Sequence, residues 1–358
     1  MEASYTSDSS DSDSRELKTL SLTHGNGKIF DYEMKNLLKT KRDYCDIETI
    51  ILHHNALISM PITICKFNNL QTLDMSSNNL TILPDEIIKC PLSTLNLKNN
   101  KLNNNSLPKS LISISGGSLK EINLSGNNFE YFPEQLIELK SLKYLYLGGN
   151  QITNISKDIG KLQSLQLLSL GSNKIVDVPE AVGFLNGLHA LVLSDNMIES
   201  LPSSIAKLKN LKSLLLHKNQ LKTLPREIIT LRNLTELSLR ENPLIVRFVM
   251  DMSLNPSSLL ELAARTVKCS EIKYGPEELP RSLIEYLSTA NCCVNPQCTG
   301  VFFDNRVEHV KFVDFCGKYR IPLLQYLCSS KCIVDAGTSS ESIHSQHSGY
   351  MMRKVLLG

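Results

Sequence analysis

The sequence predicts an α/β solenoid: about nine repeats stacked into a curved parallel sheet, followed by a small helical and cysteine-rich module. Three observations predict it. Asparagine recurs at positions 55, 78, 100, 127, 150, 173, 196, 219 and 242, and seven of the eight spacings are 22 or 23 residues. Each asparagine closes a stretch reading apolar-x-x-apolar-x-apolar-x-x-Asn, clearest in Leu211, Leu214, Leu216 and Asn219. Beyond about residue 250 that period stops, and seven of the ten cysteines crowd into the last 90 residues. A fixed period of this length marks one supersecondary unit that buries its apolar face only by stacking on copies of itself. Within each copy the alternating leucines point inward from a strand. Asparagine carries a donor and an acceptor on a short side chain, so a column of them satisfies the backbone groups buried where each strand bends away. The one longer spacing, Asn100 to Asn127, accommodates an insertion with Asn103, Asn104, Asn105, Pro108, Gly116 and Gly117.

This repeat text resembles that of the leucine-rich repeat family, and the resemblance implies a scaffold for a protein partner without naming it. Composition is that of an ordinary globular protein, 42% hydrophobic and 21% charged over 358 residues. With 38 basic against 36 acidic residues there is no electrostatic footprint for nucleic acid or an anionic membrane. No apolar run reaches the length of a membrane span, and the first twenty residues are rich in Ser and Asp. A cytoplasmic protein is expected, with the nucleus as the alternative location. The sequons at Asn79, Asn104, Asn123, Asn154 and Asn233 are then by-products of the repeat text. Residues 1–30 read as a disordered acidic tail, with Asp8, Asp11 and Asp13 among serines. A cap carrying Met34, Leu37 and Leu38 is expected over 31–46, repeats over 47–250, helices over 251–290 and a cysteine-rich module over 291–333. The Ser-rich tail 334–358 reads as flexible apart from Val355, Leu356 and Leu357.

In a strand, the residues flanking the inward leucines face the concave side of the solenoid. In repeats five to eight these are Tyr144, Tyr146, Leu167, Val192 and Leu215, with Ser169, Ser194, Ser213, Gly148 and Gly171 between them. Thr72, Asp74, Asn96, Lys98, Glu121 and Asn123 precede this centre, and His217, Glu236 and Arg240 follow it. An apolar and aromatic centre in a polar surround has the composition of a protein-binding hot spot. Strand propensity alone is the alternative explanation for Tyr, Val and Leu here. Solvated strands more often carry Thr, Ser and charge, which favours a target site of Tyr144, Tyr146, Leu167, Val192, Leu215, His217 and Arg240.

After the last repeat, Pro256 behind Asn255 suits the first position of a helix, and Ser258 with Glu261 offers an alternative capping box. Leu259, Leu262, Ala263, Thr266 and Val267 then share one helical face. Gly275 and Pro276 interrupt, and a second helix follows with Leu283, Tyr286 and Leu287 aligned. Capping the open end of the solenoid is the plain role for both. The text Ser-Leu-x-x-x-Ala-x-x-x-Val over 258–267, however, resembles the elongin-BC-binding box. Leu-Pro-x-x-Leu-x-x-Tyr-Leu over 279–287 resembles the closing half of a suppressor-of-cytokine-signalling box. The resemblance implies that Leu259 plugs a pocket on elongin C, with Leu262, Ala263 and Val267 beside it. It also implies that Leu279, Pro280, Leu283 and Tyr286 form the half that touches a cullin. The implied partners are elongin B, elongin C and a cullin, with the cullin-5 type favoured. Ala263 stands where the family usually has Cys, and Glu277-Glu278-Leu279-Pro280 where cullin-5 binders often read Leu-Pro-Leu-Pro, which leaves the choice of cullin open.

Clustered cysteines in a reducing compartment favour metal over disulfides. Cys293 and Cys298 form one close pair, and Cys328 and Cys332 a second. Thiolate is a zinc ligand, and two loops presenting two sulfurs each close a tetrahedral structural site. Val301 to Asp304 and Val307 to Asp314 read as two strands with a turn at Asn305, so the module resembles a zinc-ribbon-like hairpin. Cys316 or His309 is an alternative ligand, and packed free thiols are the alternative to zinc. No activated thiolate beside a histidine in a cleft is legible, so catalysis is not expected.

The chain after about residue 40 also resembles one particular family of leucine-rich repeat proteins, most strongly over 242–249, 259–267, 311–320 and 354–358. The expected function is that of a non-enzymatic substrate receptor for an elongin BC-cullin ubiquitin ligase, holding a target protein on the concave face for ubiquitination and degradation. A signalling scaffold or inhibitor with no ligase link is the alternative.

Overall fold

The structure, a computed structural model, describes residues 18–22, 46–109, 111, 119–245, 257–315, 319–333 and 354–356. It divides into two compact units, one holding the repeats and the other formed by Leu221–Ile228 with Pro243–Met351.

The repeat unit is built on a single parallel sheet of eleven strands. In spatial order they begin with β1 (Thr19–Ser21), β2 (Thr49–Ile51), β3 (Thr72–Asp74), β4 (Thr94–Asn96), β5 (Glu121–Asn123) and β6 (Tyr144–Tyr146). Next come β7 (Leu167–Ser169), β8 (Ala190–Val192) and β9 (Ser213–Leu215). In the chain β10 (Leu224–Pro225) follows but belongs to the other unit; the sheet ends with β11 (Glu236–Ser238) and β16 (Lys354–Leu356). Each repeat strand has three residues, and its central one (Leu145, Leu168, Leu191, Leu214) is fully buried. Each such leucine contributes about 1.5 to 3 kcal/mol of burial, which is why the pattern recurs without exception.

The chain returns on the other side through short 3₁₀ turns such as Glu134–Glu138, Glu180–Phe184 and Ser203–Lys207. Pro133, Pro179 and Pro202 lead into them with φ of -72°, -69° and -69°. Proline fixes that φ and has no N–H to leave unpaired at a helix start. Gly183 is required by close stacking, since a Cβ there would lie 2.3 Å from the Ser204 carbonyl oxygen.

The asparagine column does what its chemistry predicts. Asn173 Nδ2 donates to the carbonyls of Leu147 at 3.0 Å and Leu170 at 2.9 Å, while its Oδ1 accepts from the Ile152 amide at 3.0 Å. The column continues across the insertion: Asn127 Nδ2 donates to the Leu97 and Leu124 carbonyls, both at 3.0 Å, and its Oδ1 accepts from Leu102. A feature the periodicity did not disclose is the backbone of the residue just before each asparagine. His54, Ser77, Asn99, Ser172, Asp195, Lys218 and Glu241 have φ between 52° and 59°, and only Gly126 and Gly149, at φ 67°, are glycines. A left-handed backbone costs a residue with a Cβ about 1 kcal/mol or more. Lys218→Gly should therefore raise the thermal midpoint of the repeat unit, by the equivalent of about 0.5 to 1 kcal/mol. An unchanged or lower midpoint would show that no strain is held there.

The expectation of a structureless tail over 1–30 does not hold at Thr19–Ser21, where β1 pairs with β2 and Leu20 sits opposite Ile50. One leucine between Thr and Ser carries no periodic signal, yet an open sheet edge offers it backbone partners. At the other edge, β16 places Val355 opposite Leu237, at the residues set apart from the flexible tail. The expected cap lies outside the described residues except for Asp46, as do most of the two tails.

The second unit contains helices α1 (Leu259–Cys269) and α2 (Arg281–Ser288), followed by β12 (Asn291–Cys292), β13 (Val301–Phe302), β14 (Val307–Phe315) and β15 (Tyr319–Leu327). Its strands pair differently from the expected hairpin. β13 is antiparallel to β12, and β14 is antiparallel to β15 over nine residues, so 301–304 and 307–314 are not partners. β15 also runs parallel to β10, Leu224 facing Leu323 and Pro225 facing Leu324. A small core of Ala264, Leu287 and Phe303, with Val267, Tyr274, Leu279 and Tyr286 packed against it, joins both helices to the end of β13.

Candidate functional site

The concave surface follows directly from the strand register. Tyr144 lies between Glu121 and Leu167, Tyr146 between Asn123 and Ser169, and Val192 between Ser169 and Leu215. Tyr144, Tyr146, Leu167, Val192, Leu215 and His217 are all half-exposed, and Arg240 is exposed. Tyr144 donates its hydroxyl to Gln166 Oε1 at 3.2 Å. Burial, reinforced by Glu121 and Tyr144, pushes the Tyr146 phenol above its usual range, so it stays a neutral donor. Polar pairs surround this centre. Asn96 Nδ2 donates to Asp74 Oδ2 at 3.0 Å, Ser213 Oγ to Glu236 Oε2 at 2.8 Å, and Ser238 Oγ lies 3.3 Å from His217 Nδ1.

In the second unit, Ser258 caps α1 by accepting from the Glu261 amide at 3.1 Å. All of the predicted apolar face of this helix except Val267 is turned to solvent: Leu259 is 85% and Leu262 48% exposed, Ala263 and Thr266 are exposed too, and so is the neighbouring Leu260. Val267, Leu279 and Tyr286 are instead half-buried against the unit's own core, Leu283 is half-buried, and Pro280 is exposed at the start of α2. Tyr286 stacks on Phe303 with centroids 4.8 Å apart and donates to Asp304 Oδ2 at 2.9 Å. Burial and then Asp304 push its phenol up to about 12.

Glu261, expected to complete a capping box, turns inward and is only 1% exposed. Its carboxylate accepts from the amides of Phe303 at 3.3 Å and Asn305 at 2.9 Å and from Arg265 Nε at 3.0 Å. Burial alone would raise this carboxyl, but Arg265 and the two amides outweigh it and hold the group below its usual range. Arg265 also donates to the carbonyls of Asn305 and Cys328. Sequence reasoning missed this pair, although an acid four residues before an arginine is its signal.

The four predicted cysteines converge. The sulfurs of Cys293, Cys298, Cys328 and Cys332 all lie within 4.8 Å of one another, and among the described residues this is the group able to hold a metal ion. His309 is not part of it, and Cys316 lies outside the described residues. Cys298 and Cys328 sulfurs are 3.6 Å apart, and Cys328 and Cys332 sulfurs 3.5 Å. A disulfide needs about 2 Å, whereas a tetrahedron of zinc–sulfur bonds sets sulfurs about 3.8 Å apart. Gly300 makes the cluster possible, because a Cβ there would lie 2.7 Å from the Cys328 sulfur. Its amide donates to the Cys298 sulfur at 3.3 Å, while burial, then the neighbouring sulfurs, pushes the Cys328 thiol up.

Residues 117–175, 141–198 and 186–244 match a leucine-rich repeat family model, and residues 69–90 match a second one. Leucine-rich repeat-containing protein 58 of Xenopus laevis is 59% identical over 345 residues, which span 95% of this chain and 97% of that one. The protein of the same name from Homo sapiens is 68% identical over 284 residues, spanning 78% of this chain and 76% of that one. The chain belongs to the leucine-rich repeat-containing protein 58 family. Its members are leucine-rich repeat proteins, and protein–protein interaction is the role such solenoids serve. Among solved structures, an internalin from Listeria monocytogenes is 25% identical over 57% of each chain, with a TM-score of 0.49. No helix of the described residues is long and apolar enough to cross a membrane.

Proposed function

We propose that this family member is a substrate receptor: its concave face holds a target protein, and α1 attaches that complex to elongin B and C and a cullin for ubiquitin transfer. The observation that carries the proposal is Leu259, 85% exposed on the first turn of a helix whose opposite face is built into a core. An apolar side chain left in water at the anchor position of an elongin-BC-type box is suited to a partner pocket. The chain needs no reactive group for this role, because holding a target lysine near a charged ubiquitin-conjugating enzyme raises its effective concentration. Zinc on Cys293, Cys298, Cys328 and Cys332 is proposed as the structural staple of the module, supported by the sulfur spacing.

Burying one leucine in a partner pocket is worth about 1.5 to 3 kcal/mol, so Leu259→Ala should weaken elongin binding at least about tenfold. The exposed side chain makes few contacts within the chain, so the thermal midpoint should stay within about a degree of wild type. In cells the variant should keep its target, lose elongin and cullin together, and let the target accumulate. A variant that unfolds, or one that retains elongin at wild-type level, contradicts the anchor assignment.

A further inference from the structure

We infer that loading of the cysteine cluster sets the position of the docking helix α1, with Arg265 as the positioning residue that links the two. The consequence for partner binding rests on the receptor reading above; the coupling itself rests on the geometry of the module. Arg265 leaves the inner side of α1 and reaches three parts of the unit at once. Its Nε donates to Glu261 at 3.0 Å, its Nη1 to the carbonyl of Cys328 at 2.7 Å, and its Nη2 to the carbonyl of Asn305. Cys328 is itself one of the four clustered cysteines, and Asn305 returns its amide to Glu261 at 2.9 Å. The guanidinium thus closes a ring that runs from the helix, through the turn after β13, to a cysteine of the cluster. Only a planar fork with several fixed donors spans such a set of acceptors.

The ring has a weak side. Apart from its two thiols, the Cys328–Cys332 loop is held by a few hydrogen bonds, such as Cys332 N–H to the Ser329 carbonyl at 3.1 Å and Asn295 Nδ2 to the Cys332 carbonyl at 3.0 Å. Metal–thiolate bonds fix the four sulfurs together and with them the direction of the Cys328 carbonyl. If that loop loosens, Arg265 loses an acceptor and the buried Glu261 loses its firm partner, which is costly for a carboxylate removed from water. Helix α1 is then the element that moves, since Ala264 and Val267 are what tie it to the small core, while its outer side chains Leu259, Leu262 and Ala263 are exposed. The docking surface is therefore in place when the thiols carry metal and is loosened when they do not.

Hydrogen exchange on the full chain, zinc-loaded and then stripped with a chelator under reducing conditions, tests this, with elongin B and C titrated into each form. Stripping should speed exchange in residues 259–269 by about tenfold or more, together with the cysteine loops, and leave β6 to β9 unchanged. Elongin affinity should fall in parallel. Arg265→Lys keeps a positive charge beside Glu261 but offers one ammonium for acceptors that lie apart. It should retain its zinc yet show fast exchange in α1 that no longer depends on the metal, which a merely structural side chain would not produce. Equal α1 exchange with and without zinc in the wild type, full zinc dependence in Arg265→Lys, or failure of the chain to take up zinc would each overturn the inference. If α1 follows the metal while neither form binds elongin, the coupling stands and the partner assignment fails.

Discussion

Removing metal from the purified protein is expected to melt residues from about 290 to 333 while the repeats remain folded. The two units differ sharply in what holds them. Every repeat buries its own leucines and stacks them on the next copy, whereas the core shared by α1, α2 and β13 has three buried members, Ala264, Leu287 and Phe303, and the strands of residues 290–333 add Phe302, Ile321, Leu323 and Leu327. A unit with so small an apolar core needs another source of stability, and structural zinc supplies on the order of 10 kcal/mol to a fold that depends on it. Calorimetry should show two transitions, with the chelator abolishing one and leaving the other in place. Cys298→Ser should reproduce the loss, because three thiolates do not close a structural tetrahedron. Protein purified under reducing conditions without zinc, or a chelator with no effect on either transition, contradicts the expectation.

Replacing Tyr144 and Tyr146 together by alanine should abolish capture of the target and leave folding almost unchanged. Both rings stand on the solvent side of β6, and the residue between them, Leu145, is the one that fills the core. Truncating a tyrosine at the centre of an interface costs about 2 kcal/mol or more, so the pair is worth roughly 4 kcal/mol, close to a thousandfold in affinity. The proteins to follow are those that both bind the wild-type chain and accumulate when it is deleted. If the double variant recovers them undiminished, the target lies elsewhere on the solenoid. A large drop in thermal midpoint would show that the tyrosines support the fold instead.

The repeats were legible because one physical problem is solved nine times over, so every leucine and asparagine in the pattern reinforces the rest. The cysteine cluster was legible because thiols carry chemistry at a spacing. What escaped were features set by tertiary partners. Strand β15 contains Pro322, which argues against a strand in the middle of a sheet, yet its second neighbour β10 pairs only with Leu323 and Leu324, just beyond the proline. Strand β10 itself is only two residues, Leu224 and Pro225, too short to leave a period in the sequence. Glu261 was read from its local spacing as a cap, because nothing in the sequence shows that the amides of Phe303 and Asn305 will meet it. The left-handed residues were hidden for the same reason, seven of the nine carrying ordinary side chains.

The most direct test of the receptor account is to mix the purified, zinc-loaded chain with purified elongin B and C and measure complex formation by sedimentation or calorimetry. The account predicts an equimolar assembly with an affinity of roughly micromolar or tighter, weakened at least about tenfold by Leu259→Ala. A folded, zinc-loaded chain that forms no complex with elongin B and C at about tens of micromolar, more than tenfold above the predicted Kd, would contradict it and leave the solenoid as a scaffold without a ligase.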